Sequence, residues 1–370
     1  MRSLSDSWKL GGIDIANRLV LAPLAGIGNW FVRLQAKRHG AGLVVSEMVS
    51  SFGVKYGNER TTRQFLRIHP DEHPVSIQLF GQDPDVMREA AAAVAAAGAD
   101  VIDLNMGCPV RKVCKTGAGA ALLQDPDVMC SAAAHVARAG ADVIDLNMGC
   151  PVPKVCKTGA GAALLGDPDR AVAVATAARE GSGLPVTVKL RSGRRRGERE
   201  GFELAHRLVT EAGVAAIAFH PRSAQVHHKG EPDLELAAEL VRTLPAPVIL
   251  SGGMRDPAWI LDAFRRTGCA AVMLARGALG NPWLFARLLD DRVPDPSAAE
   301  VLDELDWVLE CAAEHLGPER AARYLRKFYP WYVERLGAPK AVRERLQHTS
   351  SLDEAQTILG TLRAPASLAA

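Results

Sequence analysis

The sequence predicts a TIM (β/α)8 barrel followed by a small all-helical C-terminal domain, and three observations carry that expectation. Short apolar, β-branched runs alternate with amphipathic Ala/Leu-rich stretches, the pattern of consecutive parallel βα units. Counted with one duplicated unit taken once, there are eight such runs over roughly 270 residues, the strand number and size of this barrel. After about Asp295 the strand pattern stops, and residues 298–365 read as helices broken at Gly317-Pro318 and at Gly337-Ala338-Pro339.

The strands are expected at 19–22, 43–47, 75–79, 101–105 with a twin at 143–147, 186–190, 216–220, 248–251 and 271–274. Helical patterns such as 84–97, 170–179 and 202–212 fill the intervals. The division is residues 1–295 for the barrel and 296–370 for the helical part.

The twin strand belongs to a tandem duplication. Residues 83–124 recur as residues 125–166, a unit of 42 residues in which six positions differ. A solenoid needs three or more units, and this period occurs nowhere else in the chain. Counting both twins gives nine strands, whereas eight close the barrel. One copy is therefore expected to be extruded rather than to enter a nine-strand barrel. The second copy runs directly into the next helix. Using it asks only for an extrusion at a surface connection, where insertions are tolerated; using the first would disturb the catalytic face.

Composition bounds the rest. With 48% hydrophobic residues, 23% charged residues and a net charge of +2, the chain is an ordinary enzyme in composition, and any nucleic-acid signal must be local. The N-terminus lacks the apolar core of a secretory signal, and no apolar run approaches a membrane span. Seven cysteines without scaffold density point to a reducing, cytoplasmic setting with no membrane association. A zinc site at Cys108 and Cys114 is excluded by their spacing and the lack of a histidine pair, so no metal is expected.

Barrel enzymes keep their chemistry at the C-terminal ends of the strands. Here those ends read Ala22-Pro23-Leu24-Ala25-Gly26, Gln78, Asn-Met-Gly-Cys-Pro twice, Lys189 with Arg191, His220-Pro221-Arg222, Ser251-Gly252-Gly253 and Ala275-Arg276-Gly277. The last two turns, after the seventh and eighth strands, are where these barrels bind phosphate through backbone N–H groups. A lysine inside a barrel needs an anionic partner or a shifted pKa. Gln78 and His220 suit hydrogen bonding to a flat heterocycle. Each Gly-Cys-Pro turn presents a thiol, Cys108 or Cys150, that is largely protonated near neutral pH and can serve as an acid. Taken alone, a single histidine or turn cysteine is more often structural; the clustering of six polar strand ends favours function.

As a set these residues resemble the tRNA-dihydrouridine synthase family, most closely its bacterial B-type. The motifs are LAPLAG (21–26), VVSEM (44–48), VSIQLFG (75–81), DLNMGCPV with its Lys-Thr-Gly-Ala-Gly loop, VTVKLRSG (186–193), FHPRSAQ (219–225), LSGGM (250–254) and ARGALGNPW (275–283), with RKFYPWY (326–332) in the tail. The resemblance implies FMN held by Ala22, Pro23, Leu24, Gln78, Lys189, His220, Ser251, Gly252, Gly253, Ala275 and Arg276. It implies hydride transfer from flavin N5 to C6 of a uracil, a proton from one of the two cysteines to C5, and NADPH (or NADH) as reductant. Cys150 is favoured over Cys108 because its copy is expected in the barrel and its GCPVPKV looks more like the family. Lys115 and Lys157 follow in the two loops.

The resemblance also makes tRNA the partner, read by backbone charge and shape. Residues 320–345 hold eight Lys/Arg (Arg320, Arg323, Arg326, Lys327, Arg335, Lys340, Arg343, Arg345) against Glu334 and Glu344. The aromatics Tyr324, Phe328, Tyr329, Trp331 and Tyr332 interleave, and most of them are expected in the helical core. Residues 191–199 form a second basic segment near the barrel mouth. Two rivals remain at this point: an FMN barrel reductase of a free pyrimidine, like dihydroorotate dehydrogenase, and a tRNA-binding protein that has lost catalysis. The basic tail argues against the first, and flavin colour separates the second.

Overall fold

The computed structural model describes residues 2–57, 59–80, 83–104, 126–138, 140–152, 156, 159 and 161–363. The chain opens with a hairpin, β1 (Trp8–Leu10) and β2 (Ile13–Ile15), joined at Gly11-Gly12. Nine parallel strands follow: β3 (Leu19–Leu21), β4 (Leu43–Ser50), β5 (Val75–Phe80), β6 (Val101–Leu104), β7 (Ile144–Asn147), β8 (Val186–Arg191), β9 (Ala216–His220), β10 (Val248–Ser251) and β11 (Ala271–Leu274). They close a barrel in chain order, with β11 pairing back onto β3. Helices lie between successive strands, as alternation predicts.

The expected extrusion of one copy is corrected here. Both twin strands enter the wall: β6 pairs with β5 and β7, and β7 with β6 and β8. The reason is that each copy is a complete βα unit with its own apolar surface. Val101, Ile102 and Leu104 of β6, and Met87 and Val94 of the helix Pro84–Ala96, are buried. Extruding them would forfeit about 1.5–3 kcal/mol for each large side chain returned to water. Widening the ring by one strand spacing keeps that burial and leaves no strand edge open.

Alternation along the strands splits the side chains into two sets. Outward residues pack under the helices in the largest apolar cluster. Inward residues fill the barrel, and its two halves differ. From β3, β4, β9, β10 and β11 come Val20, Leu43, Val45, Ala218, Ile249 and Met273, closed from below by Trp8 and Leu10 of the hairpin. From β5 to β8 come Gln78, Asp103, Asp145, Asn147, Thr187 and Lys189, lining an inner cavity of about 50 Å³.

After β11 the described chain is helical. The helix Ala298–Leu316 starts with a capping box between Ser297 and Glu300, and four further helices run from Pro318 to Arg363. Their core contains Phe328, Tyr329 and Tyr332, together with Trp30 and Phe31 from the helix after β3. The aromatics are thus largely core residues. The helical part also grips the loop after β3: the Tyr324 hydroxyl accepts from Asn29 Nδ2 at 2.6 Å and donates to the Ile27 carbonyl, and Lys327 donates to the Gly26 carbonyl. No helix among the described residues is long and apolar enough to cross a membrane.

Candidate active site

The C-terminal ends of the strands open into a cavity of about 710 Å³. Ala22, Pro23, Cys150, Lys189, His220, Ser251, Gly252, Gly253, Ala275 and Arg276 all line it. Nine of the eleven residues expected to hold a cofactor therefore converge, together with one of the two cysteines. The other two do not reach it. Leu24 is buried in the cluster beneath the helices. Gln78 lines the inner cavity below, where its amide donates to Asp103 Oδ2 at 2.6 Å. The extra strand is the cause: β6 stands between Gln78 and β7, so the glutamine meets the first copy's aspartate. Cys108 and Lys115, and Lys157 of the second copy, lie outside the described residues.

The Cys150 turn is held from several sides. Met148 N–H donates to the Lys189 carbonyl at 3.0 Å, and Ala162 N–H to the Cys150 carbonyl at 3.0 Å. Arg191 links this turn to the loop after β9. Its Nε donates to the Gly149 carbonyl at 3.1 Å, and its Nη1 to the His227 carbonyl at 2.7 Å. His227 itself has φ +52°, uncommon for a residue with a side chain. That conformation sets the next residue, His228, into the cavity lining, its ring 6.3 Å from that of His220.

Burial pushes the Cys150 thiol above its ordinary value, with Arg191 and Lys189 pulling partly back, so the group stays protonated at neutral pH. Burial and the neighbouring Arg191 lower Lys189 to about 8, against the pull of Asp145. His220 is driven far down by burial and by Lys189, Arg191 and Arg222, which keeps its ring neutral. Its Nε2 is buried and has no partner. His228 is lowered to about 4, by burial first and then by Arg276 and Arg191.

Opposite the thiol, Gly252 and Gly253 run at φ +96° and +80°. A Cβ on Gly252 would lie 2.3 Å from the His220 ring, and one on Gly277 would lie 1.9 Å from the Met254 carbonyl. Arg222, Arg255 and Arg276 stand around these turns against Glu231 and Asp256. The result is a cation-rich set of glycine turns at one end and a half-buried thiol near an ammonium at the other.

Sequence reasoning missed His228, although the His227-His228 pair before Gly230 was a visible signal. It also missed Asp103 and Asp145, acids in the middle of apolar strands, where a carboxylate is rare without a purpose.

A family model described as dihydrouridine synthase matches residues 20–139 and 124–367, two segments that overlap inside the duplication. The chain is 34% identical over 352 residues to tRNA-dihydrouridine synthase B of Pseudomonas aeruginosa, covering 93% of this chain and 92% of that one. It is 33% identical to a probable tRNA-dihydrouridine synthase of Mycobacterium tuberculosis, covering 97% and 85%. Among solved structures, a 2-naphthoyl-CoA reductase complex matches with a TM-score of 0.50 at 14% identity, over 78% of this chain and 52% of that one, a likeness of fold alone.

Proposed function

We propose, because this chain belongs to the dihydrouridine synthase family, that it is an FMN-dependent tRNA-dihydrouridine synthase that saturates the C5–C6 bond of a uracil base in tRNA. The observation that carries this is the meeting of Cys150, Lys189, His220 and the Gly252, Gly253 and Arg276 turns in one cavity.

The cavity suits FMN by its own chemistry. The partnerless His220 Nε2 offers a hydrogen bond to a flat ring. Glycine at 252 and 277 leaves room that a Cβ would fill, and Arg276 and Arg255 match a phosphate. Ala22, Pro23, Lys189, His220, Ser251, Gly252, Gly253, Ala275 and Arg276 would hold it. When bound, FMN supplies the hydride, and NADPH or NADH supplies the electrons behind it.

The protein's own residues do the remainder. Lys189 sets a positive charge beside the ring site. Cys150, protonated at neutral pH, gives the proton of its Sγ to C5 of the uracil. Arg191 holds the thiol's turn against the 223–228 loop, so the acid and the base's pocket are fixed together. The target base has to leave its stack to enter. Residues 296–370 serve as the tRNA-binding domain, with exposed Arg320, Arg323 and Arg345, joined by exposed Arg195 and Arg196 of the loop after β8. Such a substrate places the work in the cytoplasm.

The test pairs two variants on tRNA lacking dihydrouridine. Cys150→Ala should keep its flavin colour and lose about 10²–10⁴ in the rate of dihydrouridine formation, read by mass spectrometry of digested tRNA. Cys108→Ala should act like the native chain. A fully active Cys150→Ala protein overturns the assignment of the acid, and a colourless native protein overturns the function.

A further inference from the structure

The two copies meet inside the barrel at a pair of identical acids. Asp103 on β6 and Asp145 on β7 are register partners on neighbouring strands, which lie about 4.8 Å apart. Asp103 is buried, and what surface Asp145 keeps faces the inner cavity. Each is fixed from its outer side. Gln78 donates to Asp103 Oδ2 at 2.6 Å, and the Thr187 hydroxyl donates to Asp145 Oδ1 at 2.5 Å. Asp103 Oδ1 is buried and has no partner.

We propose that Asp103 is held as a neutral carboxylic acid next to an ionised Asp145, and so acts as a positioning residue: it leaves the single carboxylate of Asp145 set against Lys189 below the active-site cavity. In the row Gln78–Asp103–Asp145–Thr187, a hydrogen on Asp103 lowers the cost of leaving Oδ1 buried without a partner.

The charges around the pair require the same proton. Facing it is Lys189 from β8, while β5 offers the uncharged Gln78. The opposite wall is apolar, with Val20, Leu43, Ala218, Ile249 and Met273 from β3, β4, β9, β10 and β11. Above, Arg191 and Cys150 act on Lys189. Two carboxylates against one ammonium would leave a net buried charge, and protonating one acid removes it. Burial raises both acids, and the charge of Asp145 raises Asp103 further. The Thr187 bond and Lys189 pull Asp145 back, so the proton rests on Asp103.

Because both acids sit above their ordinary value of 3.8, the folded chain holds protons that the unfolded chain has lost. The stability they contribute is complete below that value and falls as pH rises through the folded-state titration. The pair thus makes the barrel lose stability toward alkaline pH.

The experiment uses the purified chain without RNA or added cofactor, so its result is independent of the function proposed above, which gives Lys189 its task. Infrared difference spectra, native minus Asp103→Asn, are recorded at neutral pH. They should show a protonated-carboxyl C=O band in the native chain and its loss in the variant. As pH rises above about 4, melting temperatures should fall by several degrees more in the native chain than in Asp103→Asn, whose amide does not titrate. For the positioning role, flavin should be lost at lower pH in Asp103→Asn than in the native chain, because only the native chain brings a second carboxylate to Lys189 as pH rises. If Asp103→Asn fails to fold, the chain lacking residues 83–124 gives the same reading, since it keeps one aspartate in the row. No band in the native chain, or a band unchanged by the substitution, overturns the proposal. A flavin-retention profile that does not move overturns the link to Lys189.

Discussion

At Gly252 the backbone is left-handed, at φ +96°, and the space a side chain would need holds the His220 ring. A methyl group there meets both obstacles, backbone strain of about 1–3 kcal/mol and displacement of the imidazole. Gly252→Ala should therefore melt several degrees lower and purify without flavin; a coloured protein with a native melting temperature would show that this turn does not cradle the cofactor. Residues of this kind were legible in the sequence. A glycine pair or a lysine at a strand end stays at the barrel mouth whatever the rest of the chain does, because the parallel βα order fixes which end of each strand is open. Gln78 was not legible in the same way. It sits on a strand where it was expected, but its neighbours depend on how many strands separate it from Lys189, and motif spacing cannot report that number.

Basic residues in the helical part show why charge counts mislead at the level of an element. Arg326 donates through Nε and Nη2 to the Thr349 carbonyl, at 2.9 and 2.7 Å. Lys327 binds the Gly26 carbonyl and lies 3.8 Å from the centroid of the Tyr324 ring, and Arg335 pairs with Asp295 at 2.7 Å. These three hold the helices to each other and to the barrel. The sequence reported the excess of positive charge but not its division between internal and outward use. Arg320, Arg323 and Arg345 are exposed and so placed to meet phosphates. Reversing all three to Glu should weaken tRNA binding roughly tenfold at low salt and flatten its salt dependence, with the melting temperature nearly unchanged. Arg326→Ala should do the opposite, lowering stability while leaving the salt slope of any remaining binding intact. Equal tRNA affinity in the triple variant, measured by filter binding across a salt series, would move the RNA surface elsewhere, with residues 195–196 next in line.

The molecule as a whole has taken in a βα unit without losing closure. The alternation of strands and helices was readable from residue 19 onward. The ninth strand was not, because the eight-strand rule competed with the burial demanded by each copy, and burial prevailed. Removing residues 83–124 should therefore leave a foldable chain. Residue 82 would then join residue 125, Gln78 would face Asp145 directly, and the acid pair would disappear. The shortened protein should melt at or above the native temperature at alkaline pH and hold flavin at least as tightly, as judged by calorimetry and by the absorbance ratio of the purified protein. An insoluble or colourless product would mean that the wider ring has become indispensable to this sequence.

A ring of nine also has a parity problem. In the eight-strand barrel, inward side chains stack in layers of four, each drawn from every second strand. Taking every second member works only round an even ring. With nine, two neighbours must compete for the same layer, and the duplication makes neighbours of β6 and β7, which present the same residue, Asp103 and Asp145, from the same position of the repeat. A third copy of the unit would make ten and restore the alternation, so by parity alone a second duplication would disturb the interior less than the first.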